Sequence, residues 1–130
     1  MTLERLDHLV LTVADIEATC QFYSQALGCE TVHFGENRRA LRIGSSPQKI
    51  NLHSAQNPLQ PAAQSSRPGS ADLCFVTQTP VADAIDHFHH LGISVIEGPV
   101  QRTGTLGPLL SVYIRDPDGN LIEVANTLAT

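Results

Sequence analysis

Basic residues are scarce in this 130-residue chain, which has 8 Lys and Arg against 13 Asp and Glu and a formal net charge of −5. A protein that wraps a polyanion needs clustered cationic side chains, so nucleic acid is not an expected partner. No apolar run approaches the ~20 residues that span a bilayer, which argues against a membrane segment. The chain opens without a secretory signal pattern, and we expect a cytoplasmic protein.

Cysteine is also sparse. The three cysteines, Cys20, Cys29 and Cys74, form an odd set without CxxC spacing. This pattern argues against a disulfide framework and predicts reduced thiols. Cys20 and Cys74 stand among apolar neighbours and are predicted to be buried.

What the chain does contain is typical of a compact protein, because 42% of its residues are hydrophobic and 16% are charged. Its length fits one domain over residues 1–130. Within that domain, the segments 6–28 and 70–92 resemble each other. Each starts with an apolar run typical of a strand, continues into a helix with one apolar face and ends in Leu-Gly.

The helix signals are local. Asp15 is a good N-cap for the first helix, and Thr79 followed by Pro80 predicts the N-cap of the second. Gly28 and Gly92 suit the left-handed position that ends a helix.

Three strand-like runs follow each helix. In the first half they are 30–34, 39–43 and 49–53, and in the second half they are 94–97, 109–115 and 121–125. Residues 102–107 are predicted to form a loop, and Asp116 to Gly119 a turn. The sequence therefore predicts an α+β fold with two tandem βαβββ modules, at about 5–54 and 70–126, joined by a linker at 55–69. Two such modules are expected to form a cup-shaped mixed sheet around a cavity.

Overlaying the two halves places four candidate metal ligands at two pairs of equivalent strand positions. His8 falls on Asp72, and His53 falls on Glu123. A polar residue inside an apolar strand needs a partner, and a divalent cation would supply one to all four. Imidazole and carboxylate together suit Zn, Ni, Mn, Fe or Co. Asn51 shares the face of His53 and is an alternative equivalent of Glu123.

Substrate contacts are predicted on the strand before the last turn. Ser111, Tyr113 and Arg115 alternate there and share a face, and Arg102 lies in the predicted loop nearby. These groups could hold a polar or anionic small molecule, or they could form a solvated outer face. The histidines at 87, 89 and 90 are expected to point to solvent, and neither they nor His33 are expected to bind a metal.

The strings LDHLVLTV, FYSQALG and RDPDGNLIEV resemble the vicinal-oxygen-chelate superfamily of glyoxalases, bleomycin-resistance proteins and dioxygenases. INLH, GSADLCFVT and SVYIRDPDGNLIEV look most like the glyoxalase domain-containing protein 5 group and its bacterial virulence-associated relatives. The resemblance implies His8 and Glu123 as metal ligands, together with His53 or Asn51. Where the family often has His at the start of the second module, this chain has Asp72. A homodimer is also implied.

The resemblance favours a metal-dependent lyase, isomerase or thiol transferase acting on a small oxygen-chelating substrate. Glu123 is then the candidate general base, with Asp72 second. A non-catalytic protein that binds a drug or metabolite is the main alternative. A dioxygenase is a further one.

Overall fold

Two βαβββ units make up the chain. The computed structural model describes residues 1–129, and the chain divides into the compact units Met1–Ser70 and Ala71–Thr130. Each unit contains one helix and one four-stranded mixed sheet. The predicted α+β class and the tandem βαβββ modules are therefore confirmed.

Unit 1 places its first and last strands side by side. Its elements are β1 His8–Val13, α1 Ile16–Leu27, β2 Glu30–Phe34, β3 Arg38–Arg42 and β4 Lys49–Ser54. The sheet order is β1-β4-β3-β2. β1 is parallel to β4, whereas the other neighbours are antiparallel.

Unit 2 repeats the arrangement. Its elements are β5 Asp72–Val76, α2 Val81–His90, β6 Glu97–Gly104, β7 Gly107–Arg115 and β8 Leu121–Thr127. The sheet order is β5-β8-β7-β6, with β5 parallel to β8.

Each sheet has one face covered by its helix, and we call the opposite one the helix-free face. Side chains alternate between the two faces along a strand. The face covered by α1 or α2 carries the apolar core, for example Leu41 and Ile50 in unit 1 and Val112 and Ile122 in unit 2, all fully buried. The helix-free faces carry most of the candidate site residues.

The two helices are capped differently at their N-termini. The Oδ1 atom of Asp15 accepts from the Ala18 N–H at 3.1 Å, so the predicted N-cap of α1 is confirmed. The predicted Thr79 cap of α2 is wrong. Asn126 on β8 caps this helix instead, since its Oδ1 accepts from the Val81 N–H at 2.9 Å and its Nδ2 donates to the Thr77 and Thr79 carbonyls. The cap comes from a residue distant in sequence, which a local pattern does not reveal.

The strand after α2 also differs from the prediction. The run 94–97 was expected to be a strand and 102–107 a loop, but β6 spans Glu97–Gly104 and continues by a hairpin into β7. Pro99 lacks an N–H and would interrupt the pairing of an interior strand. β6 is an edge strand, however, where a proline without an N–H is tolerated. Arg102 therefore lies in a strand.

The turn between β7 and β8 is confirmed. Asp116 Oδ1 accepts from the N–H groups of Asp118 and Asn120 at 3.0 Å, and the buried Asn120 amide donates to Asp116 Oδ2 at 2.8 Å. Asn120 Oδ1 in turn accepts from the Ala71 N–H at 2.8 Å. This amide fixes the start of β5 beside the start of β8.

Over residues 1–129, no helix is long and apolar enough to cross a membrane.

Gly98 brings the edge strand close to the backbone of β7. The pairing register shifts between Glu97 and Val100, and a Cβ at Gly98 would lie 2.5 Å from the Ser111 carbonyl oxygen. We expect Gly98→Ala to destabilise the protein by on the order of 2 kcal/mol or more, because both its φ of 114° and this clash oppose a side chain.

Thermal unfolding measures this change. Gly28→Ala is the matched control, since its φ is 67° but a Cβ would meet nothing within 4 Å. An equal loss in both variants would show that backbone strain alone acts at Gly98.

Candidate functional site

Glu123 lies at the centre of a polar row on the helix-free face of unit 2. In the strand pairing, Cys74 of β5 and Tyr113 of β7 are the two cross-strand neighbours of Glu123. Side chains directly opposite on adjacent strands are in reach of each other. The register therefore places a thiol, a carboxylate and a phenol in one line.

A hydroxyl holds the carboxylate. Ser111 Oγ donates to Glu123 Oε2 at 2.6 Å. Ser111 is fully buried and Glu123 is half-buried. A charge-assisted hydrogen bond of this length fixes the orientation of the carboxylate.

Arg102 reaches the same row from the edge strand. Its Nε donates to the Tyr113 hydroxyl oxygen at 2.9 Å, and its Nη2 donates to Glu97 Oε1 at 3.3 Å. Partial burial raises the pKa of Tyr113, a tendency that the hydrogen bond from Arg102 opposes. The phenol thus keeps its proton at neutral pH and can donate it.

Cys74 was predicted to be buried, and this prediction is wrong, because its side chain is exposed. Alternation along β5 places it on the helix-free face, opposite in direction to Leu73 and Phe75. Desolvation and the negative charge of Glu123 raise the pKa of the Cys74 thiol to about 11. The period-two pattern of the sequence would have placed this thiol on the helix-free face, whereas its pairing with Glu123 follows from the β5–β8 register.

The remaining predicted residues of unit 2 lie at the end of the same face. Asp72 pairs with Leu121, and Leu121 pairs with Arg115. Asp72 is exposed, and Arg115 Nη1 donates to the Gly119 carbonyl at 3.1 Å. Ser111 thus contacts Glu123 and Arg102 contacts Tyr113, whereas Arg115 donates to the turn.

In unit 1, His8 is the first residue of β1 and is exposed. Its Nδ1 lies 2.9 Å from Asp7 Oδ1, and this hydrogen bond lowers the pKa of Asp7. A carboxylate on Nδ1 leaves Nε2 as the nitrogen available to a metal, an arrangement common around metal-binding histidines.

His53 has a different environment. Arg38 Nη2 lies 3.3 Å from His53 Nε2. Burial, and after it the charge of Arg38, lower the pKa of His53. A metal ion on Nε2 would have to displace the guanidinium.

The pairing register corrects the overlay of the two halves. His8 and Asp72 open their strands and pair with Lys49 and Leu121, respectively. Asn51 lies two residues after Lys49, and Glu123 lies two residues after Leu121. Asn51, rather than His53, is therefore the equivalent of Glu123. Asn51 is buried, and among residues 1–129 its Oδ1 has no hydrogen-bond partner. The alternative that the sequence left open is therefore the position that the strand pairing supports.

Among residues 1–129, no three His, Cys, Asp or Glu side chains form a group that could hold a metal ion. The assignment of His8, His53, Asp72 and Glu123 as ligands stays a prediction. His33 and the histidines of α2 are exposed.

The tandem βαβββ modules and the polar row around Glu123 indicate the class of protein to which this chain belongs. Residues 5–124 match the Glyoxalase/Bleomycin resistance protein/Dioxygenase superfamily, and the chain belongs to this family. It is 53% identical to Virulence protein STM3117 of Salmonella typhimurium, over 96% of this chain and 85% of that protein. The crystal structure of that protein has a TM-score of 0.94, at 52% identity over 98% of this chain and all of that chain (100%).

A second curated relative comes from a fungus. The chain is 50% identical to Glyoxalase domain-containing protein RDO1 of Mycosarcoma maydis, over 97% of this chain and 70% of that protein. Biphenyl-2,3-diol 1,2-dioxygenase 3 of Rhodococcus globerulus is 30% identical over 92% of this chain but only 62% of its own length. Of these three relatives one is named for an activity, and membership of the family alone does not assign an activity to this chain.

Thiol alkylation tests the Cys74–Glu123 contact. We expect Cys74 to react slowly with iodoacetamide at neutral pH, because a thiol with a pKa of about 11 holds little thiolate there. Glu123→Gln removes the negative charge, so the pKa should fall and alkylation at Cys74 should become faster at a fixed pH. Peptide mass spectrometry follows the labelled residue. Glu97→Gln is the control, and an equal effect in both variants would contradict the contact.

Histidine titration by NMR tests the Arg38–His53 contact. Arg38→Gln removes a positive charge beside the imidazole, so the pKa of His53 should rise toward its ordinary value. Arg42→Gln is the control, since Arg42 is paired with Glu30 at 3.2 Å. An unchanged pKa in Arg38→Gln would show that burial acts alone.

Proposed function

We propose that the protein is a metal-dependent enzyme of the glyoxalase type, a lyase, isomerase or thiol transferase, which acts on a small substrate that presents oxygen atoms to the metal. The observation that carries the proposal is the fixed carboxylate of Glu123. A hydroxyl holds this carboxylate at 2.6 Å, and a phenol and a thiol flank it.

The donor atoms suit a divalent cation. The buried Oδ1 of Asn51 lacks a hydrogen-bond partner among residues 1–129, and a cation is one partner that would satisfy it. His8 and Glu123 are the first candidate ligands, with Asp72 and either Asn51 or His53 completing the set. Asn51 is favoured over His53, because Arg38 occupies the Nε2 side of that imidazole. When bound, a divalent cation supplies Lewis acidity that polarises substrate oxygens.

Glu123 is the proposed general base. Ser111 occupies its Oε2 atom and so fixes the direction in which the carboxylate accepts a substrate proton. Tyr113 is the proposed donor to a substrate oxygen, because its own oxygen already accepts from Arg102 while its proton is retained. Asp72 lies one position along the same face and is the second candidate for proton transfer.

Two other functions remain open to the same test. A protein that only binds a drug or metabolite would show ligand binding without turnover. A dioxygenase, as the name of one relative suggests, would consume oxygen with a catechol and Fe²⁺. The hydrogen-bonded carboxylate of Glu123 favours an enzyme over a protein that only binds its ligand, because binding alone does not require a fixed proton acceptor.

Metal analysis of the untagged protein is the first experiment. We expect a bound divalent metal, and we expect His8→Ala and Glu123→Gln each to weaken its binding by about tenfold or more, as the loss of a ligand implies. His33→Ala and Glu36→Gln are matched controls, because both residues are exposed outside the site. Undiminished metal in both site variants would remove the assignment.

Activity assays then separate the reaction classes. Candidate substrates are the methylglyoxal–glutathione hemithioacetal, fosfomycin with thiols, and catechols, each with added Mn²⁺, Ni²⁺, Zn²⁺ or Fe²⁺. With the reactive substrate, Glu123→Gln should lower kcat by roughly 10²–10⁴-fold, the range of general acid–base catalysis. Full turnover in Glu123→Gln would contradict the proposed base, and oxygen uptake with a catechol would establish the dioxygenase instead.

A further inference from the structure

The helix-free face of unit 1 carries cations that the proposed function does not use. Lys49 on β4 pairs across the sheet with Arg42 on one side and with His8 on the other. Like charges directly opposite on adjacent strands are destabilising. Arg42 is neutralised by Glu30 at 3.2 Å, but Lys49 is not.

An aromatic ring gathers two of these cations. Lys49 Nζ lies 3.8 Å from the centre of the Phe34 ring, and the guanidinium carbon of Arg38 lies 4.6 Å from it. All three side chains are half-buried. The two charges therefore converge on the sheet instead of extending separately into solvent, although a cation–π contact at such a site contributes only about 0.5–1 kcal/mol.

His53 adds a neutral donor to this cluster. Its Nε2 faces the Arg38 guanidinium at 3.3 Å and so accepts, which leaves the ring proton on Nδ1. The charge of the cluster therefore resides on Arg38 and Lys49.

In the described part of the chain neither cation forms an ion pair, although Lys49 lies close enough to Asp7 to lower the pKa of that carboxyl. Within residues 1–129, no carboxylate forms an ion pair with Arg38 or Lys49. This holds in a chain whose acidic residues outnumber the basic ones, with a net charge of −5. A local positive site on an acidic protein attracts small anions by its field.

We propose that Arg38 and Lys49 bind the oxyanion of a small molecule, a carboxylate or a phosphate, with the Phe34 ring between the two cations. The guanidinium presents paired N–H donors that match either oxyanion, and the ammonium supplies a second charge. The site lies wholly in unit 1 and requires neither metal nor turnover, so it stands or falls separately from the proposed enzyme activity.

NMR titration of the full chain in chelator-treated buffer tests the site. Inorganic phosphate and acetate are added separately at constant ionic strength, with chloride as the reference salt. We expect saturable shifts of the amide signals of β2, β3 and β4. Arg38→Gln and Lys49→Gln should each weaken binding by about tenfold, the loss of one charge-assisted contact. Arg42→Gln, already paired with Glu30, should leave binding within about twofold.

Both outcomes of the anion comparison support the site, since tighter phosphate binding indicates a phosphorylated ligand and tighter acetate binding a carboxylate. Amide dispersion and thermal unfolding confirm that each variant is folded. If either Arg38→Gln or Lys49→Gln fails to fold, the other variant still tests the site. Shifts that fail to saturate, or an equal weakening in Arg42→Gln, would overturn the proposal and identify the cluster as a structural cation–π contact.

Discussion

The parallel pairing of the first and last strands in each module is the constraint on which the rest of the structure depends. It places β1 beside β4 and β5 beside β8, with His8 opposite Lys49 and Asp72 opposite Leu121. Because side chains alternate along a strand, this register decides which residues share a helix-free face. A slip of one residue in β1 or β5 would turn His8 or Asp72 toward the face that carries the apolar core.

The two modules use this common frame for different chemistry. At the position where unit 2 has Glu123, unit 1 has Asn51, with Lys49 before it and His53 after it on the same face. Unit 2 supports a carboxylate with a hydroxyl, a phenol and a thiol. Unit 1 instead brings Arg38 and Lys49 to one aromatic ring. The two modules thus share the strand register and differ in the side chains that it carries.

Much of this could be predicted from the sequence, because the helix periodicity, the Asp15 cap and the turn after Arg115 are local signals. The predictions that were wrong concerned features that depend on contacts between residues distant in the sequence. The α2 cap comes from Asn126, and β6 forms by pairing with β7 at the sheet edge, a position that tolerates Pro99. The equivalence of His53 with Glu123 failed because an ungapped overlay of short strings does not fix the strand register. The Arg38–His53 and Lys49–Phe34 contacts leave no pattern in the sequence.

Members of this family share one fold but differ in activity, so the residues of the site decide which activity a member has. The central claim is that Glu123 is a functional carboxylate that works with a metal ion. Paramagnetic broadening of amide NMR signals by substoichiometric Mn²⁺ tests it most directly. The account predicts that the signals flanking Glu123 and His8 broaden first and that Glu123→Gln abolishes the effect. Broadening confined to the exposed histidines of α2, unchanged in that variant, would contradict it.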